Sequence, residues 1–266
     1  MSETRELLKN AKRVVVKVGS STITYANGKR NFSQIDRIAR ELSDLQNQGK
    51  EMILVTSGAV AVGVDRLGLP KKPDTIPGKQ AAAAVGQGVL MHTYEKIFAD
   101  YGQIVAQVLL TKTESLDRHR YTNSRNTFME LIKQRVIPIV NENDSVATEE
   151  IVYGDNDSLS AIVARLIKAQ GLIILSDIDG LFDDNPNENP DAQLIPVVRE
   201  ITDKIRNLCG GAGTNRGTGG MITKIYAAKA ATEAGINMMI ANGSDPMILY
   251  DIIDGKKAGT LFKAKK

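Results

Sequence analysis

Residues 14–21 read VVVKVGSS, an apolar run of strand-forming residues that ends in a glycine and two serines. Consecutive apolar positions of this kind are typical of a strand that is buried on both faces. Lys17 lies inside the run, where an uncompensated ammonium group would be costly. The sequence therefore predicts that Lys17 reaches the end of the strand and meets an anion. The alternative is a lysine at the strand edge that extends to water.

Five more apolar runs follow along the chain, at residues 52–55, 104–110, 136–140, 172–175 and 236–240. Between them lie segments with helical periodicity, at residues 33–49, 78–101, 122–134, 157–169, 219–234 and 245–255. Ser33 and Gly49 are the predicted caps of the first helix. The alternation predicts an α/β fold with a mainly parallel open sheet and helices on both faces. The longest irregular stretch, residues 177–196, is predicted to be a loop or a boundary between two lobes.

Small and polar residues follow four of the apolar runs, where the strands are predicted to end. These clusters begin at Lys17, Thr56, Asn141 and Ser176. Ligands of open parallel sheets bind at the carboxyl ends of the strands, where such loops converge. Turns and helix caps use the same residue types, so any one cluster also fits a structural role. Four clusters in equivalent positions favour a ligand-binding edge.

A glycine-rich segment at residues 210–224 reads GGAGTNRGTGGMITK and leads into a helical pattern. Its amides could hold phosphates at a helix N-terminus, and a mobile linker is the alternative. The Walker A pattern is absent, and no G-x-G-x-x-G follows the first strand, which disfavours a dinucleotide-dependent oxidoreductase. Asp155, Asn156 and Asp157 precede another helix; one of them is predicted to cap it, which leaves the other carboxylate free.

Composition excludes several classes of protein. Cys209 is the only cysteine, and His92 and His119 are the only histidines, so an intramolecular disulfide and a usual closed zinc site are excluded. The net charge of +3 and the scattered basic residues do not favour nucleic acid. No apolar stretch approaches the roughly 20 residues that span a bilayer, so a cytoplasmic protein is expected. Residues 177–188 do not fit the EF-hand pattern, and no metal ligand is predicted.

Six motifs occur in order between residues 14 and 224: VVVKVGSS, ILVTSGAVAVG, IPIVNENDSVA, GDNDSLSA, LSDIDGLFDDNP and GTGGMITK. Together they resemble the amino acid kinase family, and the loop at Ser57 resembles that of its glutamate 5-kinase subfamily. The resemblance implies a three-layer α/β/α sandwich that forms a single domain over residues 1–266. Within it, an acceptor-binding lobe would cover about residues 1–170 and an ATP-binding lobe about residues 171–266. It further implies a short form without the RNA-binding-like (PUA) module of many members.

The resemblance also implies roles for individual residues. Lys17 and Lys224 would stabilise the phosphates, and Asp157 would organise the two lysines. The implied glutamate-binding residues are Ser57, Asp144 and Asn156. The implied nucleotide site comprises Lys17, Ser176, Asp177, Thr218, Gly219, Gly220, Met221, Ile222, Thr223 and Lys224. Ser176 stands where threonine is commoner in the family, a change that keeps the hydroxyl group.

The implied reaction transfers a phosphoryl group from ATP to the side-chain carboxylate of L-glutamate, the first step of proline biosynthesis. A glutamate side chain titrates near about pH 4.3, so the nucleophile is already ionised at pH 7 and needs no general base. Two lysines and a magnesium ion, carried mainly on the ATP phosphates, would offset the repulsion between the two anions. The resemblance further implies feedback inhibition by proline and a dimer or tetramer. Two alternatives stay open: another acceptor within the family, and a catalytically silent nucleotide-binding regulatory protein.

Overall fold

The computed structural model describes residues 2–111, 117–146, 156–186, 188–208 and 220–265, with side chains from residue 6 onward. Its strands are β1 (Arg13–Val18), β2 (Glu51–Val55), β3 (Val105–Leu110), β4 (Ile137–Glu142), β5 (Gly171–Ser176), β6 (Val197–Val198), β7 (Asn237–Asn242) and β8 (Thr260–Phe262). The helices on the amino-terminal side of β4 are α1 (Ser2–Lys9), α2 (Ser20–Ile23), α3 (Phe32–Asn47), α4 (Ala59–Arg66), α5 (Ile76–Asp100) and α6 (Arg118–Lys133). Those that follow β4 are α7 (Asn156–Leu166), α8 (Asp203–Asn207), α9 (Met221–Glu233) and α10 (Ile248–Ile253).

The eight strands form one sheet in the order β3-β4-β2-β1-β5-β7-β8-β6. β1 lies at its centre and pairs in parallel with β2 on one side and β5 on the other. The pairings are parallel throughout except between β7 and β8, which are antiparallel. The predicted α/β fold with a mainly parallel sheet is therefore confirmed. Because β1, β2, β4, β5 and β7 run in one direction, their carboxyl ends lie along a single edge.

The apolar runs of β1, β2, β4, β5 and β7 are buried on both faces of the sheet, as predicted. The prediction is wrong for the run at residues 104–110, because its strand β3 lies at the edge of the sheet and is only partly buried. Val14 and Val16 of β1 pack into one hydrophobic cluster with side chains of α3 and α5, whereas Val15 packs into a second cluster with α7 and α9. Alternate residues of a strand point to opposite faces, so each run supplies both clusters. The result is a three-layer arrangement of helices, sheet and helices.

Two helix boundaries differ from the sequence prediction. The side chain of Asn31, and not that of Ser33, caps α3 by accepting a hydrogen bond from the Gln34 amide. Both residue types are good N-caps, so composition alone could not choose between them. α6 begins four residues earlier than predicted because the Asp117 side chain accepts hydrogen bonds from the amides of residues 119 and 120. The predicted end of α3 is confirmed, since Gly49 has a left-handed backbone with φ of 98°.

Helices α4 and α5 cross in close contact because glycines lie at the crossing. A Cβ atom on Gly63 would lie 1.8 Å from the carbonyl oxygen of Ala82, and one on Gly86 would lie 1.8 Å from that of Ala59. Only glycine fits at these two positions unless the helices separate. The crossing fixes the start of α4, and with it the loop that leaves β2.

One buried hydroxyl helps to attach the irregular stretch at residues 177–196 to the sheet. Oγ1 of Thr260 accepts a hydrogen bond from the Leu181 amide at 2.8 Å and donates one to the Ile195 carbonyl oxygen at 2.7 Å. Two sides of the loop are thereby joined to β8. Among the described residues, no helix is both long enough and apolar enough to cross a membrane.

Candidate active site

A buried carboxylate lies between two ammonium groups at the carboxyl edge of the sheet. Nζ of Lys17 is 2.6 Å from Oδ1 of Asp157, and Nζ of Lys224 is 3.2 Å from Oδ2 of the same side chain. The exposed fractions are 8% for Lys17, 5% for Lys224 and 1% for Asp157. We call these three residues the Lys–Asp–Lys cluster. The anion that the sequence predicted for Lys17 is thus present, and the alternative of a water-exposed lysine is wrong.

Each member of this cluster comes from the end of a different element. Lys17 is the penultimate residue of β1, Asp157 lies in the first turn of α7, and Lys224 lies in the first turn of α9. A carboxylate is favoured in the first turn of a helix by the unpaired amides there. The cluster carries one net positive charge and lies beside two helix N-termini, an environment that suits an anionic ligand.

Opposing influences act on the ionisation of Asp157. Burial is the largest and favours the neutral acid, but the charges of Lys17 and Lys224 and the hydrogen bonds from Lys17 and Thr223 outweigh it and hold the pKa below the ordinary value of 3.8. Oγ1 of Thr223 lies 2.9 Å from Asp157 Oδ2 and 2.8 Å from the Gly220 carbonyl oxygen. Asp157 is therefore the counter-ion of the two lysines at neutral pH.

A second set of contacts centres on the side-chain amide of Asn156, the neighbour of Asp157. Its Nδ2 atom donates to the backbone carbonyl oxygen of Thr56 at 2.6 Å and lies 3.0 Å from Oγ of Ser57. It also donates to Oδ1 of Asn141 at 2.8 Å. The start of α7 is thereby joined to the carboxyl ends of β2 and β4. Since these hydrogen bonds all involve Nδ2, the remaining hydrogen-bonding capacity of Asn156 is that of an acceptor, Oδ1.

A cleft of about 800 Å³ opens at this point. We call it the Ser57 cleft. Its polar lining carries hydroxyl, carboxamide, carboxylate and ammonium groups, from Ser20, Asn27, Ser57, Asp65, Lys71, Lys72, Asn141, Glu142, Asp144 and Asn156. Glu142, the last residue of β4, is buried with only 5% of its surface exposed. Hydrogen-bond acceptors thus predominate on the β4 side of the cleft, which suits a ligand with a cationic donor.

The loop between β2 and α4 also lines the cleft. Gly58 has a φ of 95°, which side chains rarely adopt, and a Cβ atom there would lie 3.2 Å from the Ile23 side chain. The glycine lets the chain turn sharply from β2 into α4. Ser57 is thereby presented at the mouth of the cleft.

Comparisons with known proteins show the family of this chain. A model of the amino acid kinase family matches residues 12–242. The glutamate 5-kinase of Clostridium tetani is 56% identical over 262 residues, which span 98% of each chain. That of Clostridium perfringens is 53% identical over 266 residues, which span 98% of this chain and 99% of the relative. This chain belongs to the glutamate 5-kinases of the amino acid kinase family.

Solved structures show the same fold at much lower sequence identity. The UMP kinase of Bacillus anthracis is 14% identical, with a TM-score of 0.63 over 96% of this chain and 97% of its own. The UMP kinase of Ureaplasma parvum is 15% identical, with a TM-score of 0.66 over 95% of this chain and 98% of its own. They establish the amino acid kinase fold of this chain.

The structure brings the predicted substrate-binding and catalytic residues together in two groups, which meet at the consecutive residues Asn156 and Asp157. The three predicted glutamate-binding residues, Ser57, Asp144 and Asn156, all line the Ser57 cleft. The predicted catalytic residues form the Lys–Asp–Lys cluster. Because residues 156 and 157 are consecutive in α7, the cleft and the cluster lie on either side of the same helix start.

The predicted nucleotide residues are only partly joined to this site. Ser176 ends β5, and its hydroxyl donates to Oδ1 of Asp177 at 3.0 Å. Since β5 is the neighbour of β1, the two residues lie at the same sheet edge as Lys17. Gly220 to Lys224 form the start of α9. Thr218 and Gly219 lie outside the described residues, as does most of the glycine-rich segment.

Two further residues contact the site without having been predicted. The sequence marks Asn141 only as part of a polar cluster, and it does not mark Gln87 of α5. Nδ2 of Asn141 donates to Oε1 of Gln87 at 2.8 Å. Their sequence separation of 54 residues left no local signal by which the pair could have been found.

No metal-binding cluster is present in the part of the chain that the structure describes: no group of three histidine, cysteine, aspartate or glutamate side chains could hold an ion. The described side chains therefore do not form a cage for a divalent cation. A cation that arrives on the phosphates of a nucleotide would not need such a cage, because Mg²⁺ in kinase sites keeps waters and substrate phosphates among its ligands.

Proposed function

We propose that this chain transfers the γ-phosphoryl group of ATP to the side-chain carboxylate of L-glutamate, the first step of proline biosynthesis. One carboxylate oxygen bonds to the γ-phosphorus, the bond from that phosphorus to the bridging oxygen of ADP breaks, and L-glutamyl 5-phosphate and ADP form. No proton is transferred, since the carboxylate is ionised at neutral pH. The observation that carries the proposal is the position of the Ser57 cleft directly beside the Lys–Asp–Lys cluster.

The cluster suits phosphoryl transfer between two anions. Such reactions depend on positioning and on stabilising charge that develops on the transferring group. Lys17 and Lys224 supply two fixed cations, and Asp157 holds both before a ligand arrives. Because Asp157 is 1% exposed, the site is already desolvated and the cations do not have to be ordered during the reaction.

The cleft suits an acceptor with a free amino group. Glu142 and Asp144 contribute carboxylates, and Asn156 contributes its Oδ1 atom, all of which accept hydrogen bonds. An ammonium group bound there would leave the other end of the acceptor, its side-chain carboxylate, to reach the lysines. An N-acylated acceptor would lose the charge and two donors at this point.

The two substrates are assigned to different parts of the chain. We propose that residues 171–266 bind ATP through Ser176, Asp177 and the start of α9, and that Mg²⁺ comes with the ATP phosphates, whose charge it would screen. Residues 1–170 would bind the acceptor. Inhibition by proline, a dimer or tetramer, and a cytoplasmic location stay predictions from the family resemblance; unchanged activity in millimolar proline would contradict the first.

The test is an acyl phosphate assay with hydroxylamine as the trap, using purified protein, ATP and Mg²⁺. L-glutamate is the acceptor, and aspartate and N-acetylglutamate are the comparison acceptors. Hydroxamate from glutamate alone is the expected result. Hydroxamate from another acceptor instead would assign a different family member's chemistry, and none from any acceptor despite ATP binding would favour a silent regulatory protein.

Two variants connect the activity to the cluster. Lys17→Ala and Lys224→Ala are each expected to lower turnover by about 100-fold or more, as removal of one fixed charge-stabilising group does elsewhere. Circular dichroism and thermal melting would establish that each variant is folded. Wild-type turnover in either folded variant would remove that lysine from the mechanism.

A further inference from the structure

Three carboxamide side chains form a hydrogen-bonded chain that leads from the Ser57 cleft into α5. Asn156 donates to Asn141 at 2.8 Å, and Asn141 donates to Gln87 at 2.8 Å. All three are buried, with exposed fractions of 8%, 2% and 8%. We call Asn156, Asn141 and Gln87 the carboxamide chain. Only Asn156 and Asn141 line the cleft; Gln87 stands behind them.

Backbone groups fix the direction of this chain. The Glu142 amide, which can only donate, lies 2.9 Å from one amide atom of Asn141, so that atom is the oxygen Oδ1. The Thr56 carbonyl oxygen, which can only accept, lies 2.6 Å from one amide atom of Asn156, so that atom is the nitrogen Nδ2. Nδ2 of Asn141 must then donate to Gln87, and the atom of Gln87 that accepts this hydrogen bond must be the oxygen Oε1. Backbone groups that can only donate or only accept thus fix the orientation of all three side-chain amides.

The close packing of α5 against α4 fixes the position of Gln87. It follows Gly86, whose missing side chain lets α5 approach the start of α4. Within the described residues, its Nε2 atom has no hydrogen-bond partner. A buried amide with one unsatisfied end destabilises a fold relative to an apolar side chain of the same size. The described contact that offsets this cost is the one from Oε1 to Asn141.

We propose that Gln87 is a positioning residue for the acceptor: it holds Asn141, which holds Asn156 with its Oδ1 atom directed to the Ser57 cleft. This inference rests on the proposed function. Without the Gln87 oxygen, Nδ2 of Asn141 is left without a partner, and the Asn141 amide rotates or admits water. Asn156 then loses one of the acceptors that fix its orientation, and the acceptor ligand binds less tightly.

The test uses three variants. Gln87→Met removes both polar atoms and keeps a long unbranched side chain. Gln87→Glu keeps an oxygen towards Asn141, whether the buried carboxyl is ionised or neutral. The matched control is Gln46→Met, because Gln46 is also a buried glutamine whose side chain bonds backbone groups, but at the opposite edge of the sheet.

For Gln87→Met, the KM for glutamate is expected to rise by about 10-fold, with kcat changed by less than about 3-fold and the KM for ATP unchanged. Gln87→Glu should restore most of the affinity. Gln46→Met should lower thermal stability without changing the KM for glutamate. A purely structural role for Gln87 would instead affect both substrates and kcat alike.

The outcomes separate this inference from the proposed function. Wild-type protein that forms no glutamyl hydroxamate contradicts the function, whatever the variants do. Active wild type with an unchanged glutamate KM in folded Gln87→Met overturns the role of Gln87, as does Gln87→Glu behaving like Gln87→Met. If Gln87→Met does not fold, Gln87→Asn decides the matter. Its amide is one methylene too short to reach Asn141, so an unchanged glutamate KM would overturn the proposal.

Discussion

Replacing Asp157 by asparagine keeps the shape of the side chain and removes the one carboxylate between two buried ammonium groups. At an effective dielectric constant of 20, the attraction between Asp157 and Lys17 at 2.6 Å is about 6 kcal/mol, and that between Asp157 and Lys224 at 3.2 Å is about 5 kcal/mol, before desolvation is subtracted. Breaking one buried pair by removing a partner costs about 3–5 kcal/mol in measured cases.

We therefore expect Asp157→Asn to lower the free energy of unfolding by about 3 kcal/mol. The asparagine nitrogen would have to face an ammonium group or the Thr223 hydroxyl, so the two lysines can no longer share one acceptor. Turnover should fall by at least about 100-fold, since a misplaced lysine loses its charge stabilisation of the transferring group.

Two measurements check this: hydroxamate formation with both substrates saturating, and urea unfolding followed by circular dichroism. The control is Asp251→Asn, which removes an exposed carboxylate that pairs with Lys256 at 2.8 Å. Surface pairs contribute little, so this variant should keep its turnover and nearly all its stability. A folded Asp157→Asn protein with wild-type turnover would refute the reasoning.

The pKa of Asp157 is lower in the folded protein than its ordinary value of 3.8. Its contribution to the free energy of unfolding is therefore present above pH 3.8 and is lost as the pH falls through the folded-state pKa. In urea titrations, Asp157→Asn should accordingly lose less stability on acidification than the wild type. Gly86→Ala should lower the free energy of unfolding by about 3 kcal/mol because its Cβ atom would clash with α4. Gly88→Ala is the control, since Gly88 lies on the exposed side of the same helix with nothing within 4 Å of a Cβ atom. It should raise the free energy of unfolding by up to about 1 kcal/mol. Equal urea midpoints for the two would contradict the close crossing. Thr260→Val should cost about 2 kcal/mol because it leaves buried backbone groups of the 177–196 loop unpaired, and Thr260→Ser should not.

The fold could be predicted because its signals are local. Apolar runs such as residues 172–175 gave the central strands, and the helical periods between them gave the crossovers that force a parallel sheet. β8 could not be found, because a strand of three residues is too short to show periodicity, and its antiparallel pairing depends on β7. α4 could not be predicted for another reason. Residues 59–62 are all apolar and show no helical period, because one side of the helix packs against α5 and another lines the Ser57 cleft.

Some residues of the candidate site could likewise be predicted from the sequence, and others could not. Lys17 was recognisable because a charge in an apolar strand calls for a partner. The residue pattern could not name that partner, which lies 140 positions away, and Asp157 was implied only by the family resemblance. Gln87 gave no signal, since it stands among alanines and glycines in a helix that shows no polar face. Residues whose chemistry conflicts with their neighbours can be found from sequence, whereas residues that only support others need the structure.

The start of α7 joins the two halves of the proposed reaction. Asn156 and Asp157 are consecutive, and a helix turns by about 100° per residue, so one side chain faces the Ser57 cleft while the next faces the lysines. Any shift of this turn moves the acceptor and the cations together, so substitutions of Asn156 or Asp157 should change acceptor affinity and turnover at once. Among the hydrogen bonds of the described residues, Gln87 is linked to this turn through Asn141. Its substitution is therefore the change that can separate acceptor binding from phosphoryl transfer.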